Sequence, residues 1–342
     1  MTSMKYFIDE IKKNNDNPAK GIGSKTYCKE FYEKIGNIQK KKIYLYGASS
    51  KVGKTTFVDY IHILVPYIEG YRNIKYYYYG WEINISDKMA GFAAFFMKHD
   101  YNIDMDAETV LGISRKLDEQ ELSMITNIYA TRLRDLFGDY DENGELISEG
   151  IIEYIEDRLT PEGFKDEMER IADKHGEIGM TKKNRKYYIW NNVKQHVHII
   201  VDHIGKVDKR KSFTKEAIDK LTDWCVVYRN LCHFSFILIS QFNRGLTAID
   251  RRGLMEELIK PEKTDFKDSS NGAEDCDFLF ALFNPLLLAD LDTIKINGKS
   301  YKLRKAGALV IDAGFRGFYC LEARREHPFE MGMFLKNNYV EF

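Results

Sequence analysis

Eight consecutive residues carry the clearest chemical signal in the chain: Ala48, Ser49, Ser50, Lys51, Val52, Gly53, Lys54 and Thr55. Their spacing is that of a Walker A loop, G-x-x-x-x-G-K-[ST], with alanine in place of the first glycine. Backbone N–H groups of such a loop, and the N-terminus of the helix after it, point at phosphate oxygens. Lys54 then reaches the β- and γ-oxygens, the Thr55 hydroxyl is a ligand for Mg²⁺, and Thr56 completes the set. The chemistry is that of holding a magnesium nucleoside triphosphate, read here as ATP. Three more polar residues stand where apolar runs end. Asp202 closes HIIV and suits a carboxylate that holds Mg²⁺ through its water shell. Glu82 follows YYYYGW and suits a base that polarises the attacking water. Gln241 closes FILIS and can hydrogen-bond γ-phosphate or water. Taken singly, the three read as a turn aspartate, a solvated glutamate opening a helix and a loop amide; the phosphate loop favours the catalytic roles.

The elements that must position these residues follow from periodicity. IYLY before Gly47 is a short apolar strand, and FVDYIHILV puts Phe57, Ile61, Leu64 and Val65 on one helical face before Pro66, where the helix is expected to stop. KYYYYGWEI reads as a second strand and DKMAGFAAFFMKHD as the helix after it. HVHIIVDHI and FSFILISQF are too continuously apolar for one-sided strands and suit a parallel sheet covered on both faces, joined by a helix bearing Ile218, Leu221, Cys225 and Val226. The alternation predicts an α/β fold, a mostly parallel twisted sheet with helices on both faces and any ligand at the carboxyl ends of the strands. Residues from about 103 to 195 read as helices. The clearest is LTPEGFKDEMERIADKHG, with Thr160 as cap, Pro161 in the first turn, Phe164, Met168, Ile171 and Ala172 on one face and Gly176 at the end. DENGE near Asn143 reads as an exposed loop, TKKNRK near Lys183 as the opening of an added hairpin, and residues 284–306, with INGKSYKLRK, as a late polar hairpin. Residues 1–40 form an arm and entry segment, with Phe7, Ile8 and Ile11 on an amphipathic stretch and a helical piece around Phe31; residues 41–342 form one domain.

With 342 residues, 44% of them hydrophobic, the chain can bury a sizeable core. Lys and Arg total 51 against 52 Asp and Glu, so nothing drives the chain as a unit toward nucleic acid and such affinity must be local. Two basic clusters offer it: Lys206, Lys209, Arg210 and Lys211 after Asp202, and Arg244, Arg251 and Arg252 after Gln241. Such groups neutralise backbone phosphates without reading bases. The five cysteines are scattered without a CxxC pair, which argues against a disulfide framework or zinc site and fits a reducing cytosol. The eight histidines show no metal spacing, His203 beside Asp202 reads as a packing residue, and Mg²⁺ is the only metal implied. The charged start lacks an apolar segment and no stretch nears the roughly 20 apolar residues that span a bilayer, so no membrane role is expected.

The succession GASSKVGKTTF, GWE, LTPEGFKDEMERIADKHG, HIIVDHIG, ISQFNRGL and DFKDSSNGAEDCDFLFAL resembles the C-terminal motor domain of DnaB-type replicative DNA helicases over roughly residues 20 to 335. RecA recombinases and clock-type ATPases share the Walker elements but not the SQ-F-N-R stretch followed by the acidic segment. The resemblance implies a RecA-like P-loop NTPase fold and a hexameric ring, phage-encoded or bacterial, that hydrolyses ATP at subunit interfaces and translocates on single-stranded DNA in replication. It places the family's base on Glu82, its Mg²⁺ aspartate on Asp202, its γ-phosphate sensor on Gln241 and its DNA loops on the two basic clusters. Its trans-acting arginine finger falls on Arg325 in GFYCLEARREHPF, with Arg324 alongside. Ala323 stands where the family has a basic residue, which implies slow turnover, and residues 1–40 are too few for the collar domain that engages primase, so primase coupling is not expected. An ATPase that acts on DNA or a protein partner without unwinding is the second expectation.

Overall fold

The computed structural model describes Ile8 and residues 21–342 apart from 142, 144, 211–212, 244–258, 267–269, 289–290, 325 and 337–338. The rest of the amphipathic N-terminal stretch, with Phe7 and Ile11, lies outside the described residues.

Alternation along the strands builds the molecule. In β1 (Ile43–Ala48), Tyr44 and Tyr46 enter one apolar cluster while Ile43 and Leu45 enter another. β2 (Ile74–Gly80) does the same, with Tyr76 and Tyr78 on one face and Tyr77 and Tyr79 on the other. A strand buried on both faces needs apolar residues at every position, which is why these runs show no polar alternation. The sheet continues with β3 (Ile152–Ile155), β4 (His196–Asp202), β5 (Ser235–Gln241), β6 (Phe278–Phe283), β7 (Phe315–Ala323), β8 (Phe329–Lys336) and β9 (Tyr339–Glu341). Its order is β9-β8-β7-β6-β1-β5-β4-β2-β3, parallel from β6 through β3 and antiparallel from β6 out to β9.

Helix α1 (Lys29–Lys34), α2 (Lys54–Asp59) and α3 (Ile85–Tyr101) cover one face with Phe31, Phe57, Phe92, Phe95 and Phe96. A fourth helix, α4 (Glu119–Ile128), adds Ile128 to that core. On the other face α5 (Pro161–His175) and α6 (Thr214–Cys232) contribute Phe164, Met168, Leu221 and Cys225. The Thr160 hydroxyl caps α5 by accepting the Gly163 N–H at 3.0 Å, as its sequence predicts.

Two expectations are corrected. Pro66 does not stop the helix that starts at Lys54: α2 passes into a π-turn at Tyr60–Leu64 and a last α-turn at Val65–Ile68. The π-turn bonds the Val65 N–H to the Tyr60 carbonyl, and proline brings no N–H of its own, so the carbonyls of Ile61 and His62 lose their usual donors. Hydroxyls from elsewhere supply them, Tyr32 donating to Ile61 O at 2.7 Å and Tyr76 to His62 O at 2.6 Å. Residues 103–195, secondly, are not helical throughout. β3 adds the edge strand of the main sheet, and two hairpins, Asp139–Tyr140 with Leu146–Ser148 and Gly176–Met180 with Lys186–Trp190, flank α5. The charges that suggested helix surface belong partly to the edge strand: Glu153 of β3 pairs with Arg170 of α5 at 2.6 Å and Lys174 at 3.6 Å. The DENGE stretch is the turn of the first hairpin and TKKNRK that of the second. The late hairpin pairs Thr293–Ile296 with Lys299–Lys302 through Asn297 and Gly298, whose φ values of 49° and 74° suit the tight turn of a two-residue loop.

Candidate active site

Four adjacent strands, β1, β5, β4 and β2, end on the same edge of the sheet, and register aligns their last residues. Ala48 pairs with Gln241, and Asp202 with Gly80. Between β1 and α2 the loop turns through left-handed backbone at Lys51 (φ 59°) and Gly53 (φ 99°). Gly53 is also the residue before α2, with no side chain capping the helix, so the first N–H groups of α2 face the loop.

Lys54 Nζ donates to the loop's own carbonyls, Ala48 O at 3.4 Å and Ser49 O at 3.2 Å. Burial lowers its pKa from the ordinary lysine value, while Asp202 and Glu82 act the other way. Thr55 Oγ1 donates to Asp202 Oδ2 at 2.6 Å. Asp202 is 1% exposed, and its other oxygen, Oδ1, is buried without a hydrogen-bond partner. An unpartnered buried carboxylate oxygen is costly unless something binds it, and a hydroxyl beside a carboxylate is the hard-oxygen set that Mg²⁺ takes. The residues therefore fit the ion. The backbone N–H of Trp81 donates to Asp202 O at 2.9 Å, tying the ends of β2 and β4 together.

Glu82 is half-exposed just past β2. Its Oε1 lies 3.1 Å from Nε2 of His203 and 3.6 Å from Nζ of Lys206. Nδ1 of His203 accepts the Gly205 N–H at 3.1 Å, so in the neutral ring the hydrogen sits on Nε2 and faces Glu82 in a short contact rather than an aligned bond. Burial pushes the His203 pKa down, against the pull of Glu82 and Asp202. His203 thus belongs to the site, contrary to its expected role as simple packing. Its proximity to Asp202 in sequence was the only signal.

A second residue escaped sequence reasoning. Arg316 of β7 donates through Nε to Val52 O at 2.9 Å, inside the phosphate loop, and also bonds Ala313 O and Phe315 O. The contact spans 264 positions, and no local pattern announces it. Beside it Leu335 of β8 packs so closely on Gly53 that an added Cβ would come within 2.0 Å of Leu335 Cδ2.

Of the basic residues read as DNA contacts, Lys209 and Arg210 are exposed, Lys209 bonding Thr214 Oγ1 at 3.1 Å and the Arg210 backbone bonding Asp208 at 3.0 Å. Lys206 faces Glu82. Lys211, Arg244, Arg251, Arg252 and Arg325 lie outside the described residues. Arg324, which precedes Arg325, bonds the carbonyls of Glu274 and Asp275 at the start of β6. No helix among the described residues is long and apolar enough to cross a membrane.

A P-loop at the carboxyl edge of a parallel sheet, with an acidic residue on a neighbouring strand end and an antiparallel tail, is the arrangement of RecA-like ATPase domains. Among solved structures, the ATPase domain of a DnaB-like helicase matches with a TM-score of 0.69 at 10% identity, covering 99% of this chain and 98% of that one. A DnaB-like replicative helicase, solved in a study of its interactions with primase, matches with a TM-score of 0.68 at 10% identity, covering 99% of this chain and 67% of that one. At such identity the likeness establishes the fold, a RecA-like domain of the DnaB type. No protein-family model and no curated protein matches the sequence.

Proposed function

We propose that this chain is the ATP-hydrolysing motor of a DnaB-type DNA helicase, a hexameric ring that moves on single-stranded DNA in replication. The observation that carries the reading is the convergence of Lys54, Thr55, Asp202, Glu82 and Gln241 on four adjacent strand ends, with Asp202 bonded to Thr55 through one oxygen and unpartnered at the other. Thr55 and Asp202 would hold Mg²⁺, which when bound neutralises charge on the β- and γ-phosphoryl oxygens. The loop N–H groups from Ser49 to Thr56 bind phosphate, and Lys54 exchanges its loop carbonyls for phosphoryl oxygens. Glu82, oriented by His203, takes a proton from the attacking water, and the Gln241 amide orients that water against the γ-phosphate.

Arg325 is assigned to the neighbouring subunit's site. Its neighbour Arg324 sits at the amino end of β6, and the six residues of β6 span about 20 Å, so an arginine there faces away from its own phosphate loop. Lys206, Lys209, Arg210 and Lys211, with Arg244, Arg251 and Arg252, form the surface for DNA phosphates. Ala323, placed where the resemblance has a basic residue, supports slow turnover and keeps an ATPase without unwinding as the second reading. One experiment separates them: ATPase measured with and without single-stranded DNA, alongside strand displacement on a forked duplex and mass photometry. DNA-stimulated ATPase, displacement and rings support the helicase; stimulated rings without displacement support the second reading; an unstimulated monomer refutes both.

A further inference from the structure

Three buried groups lie against Asp202 and take part in none of the steps above. Lys88 of α3 is 4% exposed, Asp59 of α2 is 7% exposed and Tyr78 of β2 is 1% exposed. Lys88 Nζ donates to Asp59 Oδ2 at 2.7 Å and to the Tyr78 hydroxyl oxygen at 2.6 Å. It also stands 4.2 Å from the centre of the Tyr78 ring. An ammonium group only donates, so the tyrosine oxygen accepts from it and keeps its own O–H for a carboxylate. That O–H reaches Asp202 Oδ2 at 3.4 Å, the oxygen that also receives the Thr55 hydroxyl. Burial raises the Asp59 pKa, with the charge of Asp202 adding to the rise, and Lys88 opposes both. A buried ion pair is weak evidence for stability, since well-packed apolar residues commonly replace one at no loss. A pair placed between the helix of the phosphate loop and the Mg²⁺ aspartate calls for another explanation.

We propose that Lys88 is a positioning residue for Asp202: acting through the Tyr78 hydroxyl, it fixes the aspartate carboxylate and shields it from the second buried carboxylate, Asp59. The ammonium polarises the tyrosine O–H, which strengthens the bond that hydroxyl offers to Asp202. Its link to Asp59 ties α2, and with it Thr55, to α3, so the two Mg²⁺-binding residues keep one relative geometry. This inference rests on the reading of Asp202 as the Mg²⁺ carboxylate.

The test is equilibrium binding of a fluorescent ATP analogue to the full chain, first without Mg²⁺ and then along a Mg²⁺ titration. Tyr78→Phe removes one hydroxyl and keeps the ring stacked on Tyr154, whose centre lies 5.1 Å away. A double variant, Lys88→Met with Asp59→Leu, removes both charges together and leaves no uncompensated buried ion, so it carries the test if the first variant is unstable. Both are expected to bind the analogue normally without Mg²⁺ and to need about 10-fold more Mg²⁺ to reach the midpoint, the scale for losing an outer partner of a metal ligand. An unchanged Mg²⁺ midpoint in a folded variant overturns the proposal, as does equal weakening with and without Mg²⁺, which marks a merely structural role. If Mg²⁺ leaves analogue binding by the parent chain unaltered, the reading of Asp202 falls instead, a result visible before any variant is compared.

Discussion

Glu82 sits between a buried imidazole and the half-exposed ammonium of Lys206, a setting that aims its carboxylate while leaving it open to water. A base of this kind contributes roughly 10²- to 10⁴-fold in rate. Glu82→Gln is therefore expected to lower ATP turnover by at least about 10²-fold while ATP binding stays at the parent level, read by steady-state hydrolysis beside equilibrium binding. Turnover near the parent rate would remove Glu82 from the role. Lys54 differs in kind: buried, with its ammonium turned onto loop carbonyls, it is poised for an anion and serves binding as much as turnover.

Between elements, the phosphate loop is braced by the antiparallel tail of the sheet. Arg316 of β7 holds Val52 O, and hydrogen bonds from charged groups contribute about 1.5–3 kcal/mol. Arg316→Ala is expected to weaken nucleotide binding by about 10-fold, using the lower figure. Unchanged affinity would show that the loop keeps its shape unaided. The π-turn of the loop's helix gives a matched control away from the nucleotide: Tyr76→Phe strips His62 O of its donor and should lower unfolding free energy by about 1–3 kcal/mol in urea, with ATP affinity preserved. No change in the urea midpoint would mean that another donor takes the carbonyl.

Assembly and burial act on the molecule as a unit. If Arg325 completes a neighbour's site, Arg325→Ala and Lys54→Ala subunits, each inactive alone, should regain ATPase activity on mixing; no recovery would count against action in trans. Burial also lowers the pKa of histidines: His62 to about 3, His196 to about 4 and His198 well below its ordinary value. The unfolded chain then takes up protons first, below about pH 6.5, so stability present above that pH is lost as pH falls toward 4. Each such histidine contributes about 1.4 kcal/mol per pH unit over its window. Urea midpoints should fall between about pH 7 and pH 4.5, and His198→Leu should flatten the decline, since both ring nitrogens of His198 are buried without partners. An equal slope in that variant would exclude His198 as a source.

What local backbone and local burial dictate was legible in the amino-acid order. The loop from Ala48 to Thr55 needs left-handed backbone at set positions and a helix behind it, and the doubly buried strands need unbroken apolar runs whose ends expose Asp202, Gln241 and Glu82. Those features are written within a few residues of where they act. Whatever depends on a partner distant in the chain was settled by tertiary packing. Tyr32 and Tyr76 let the helix run past Pro66, and α5 cations make a charged segment the edge of the sheet. Arg316 reaches the loop from β7, and the end of β4 turns His203 onto Glu82. Each of these rests on a polar group being satisfied, and which donor meets which acceptor is fixed only when the chain has closed around both.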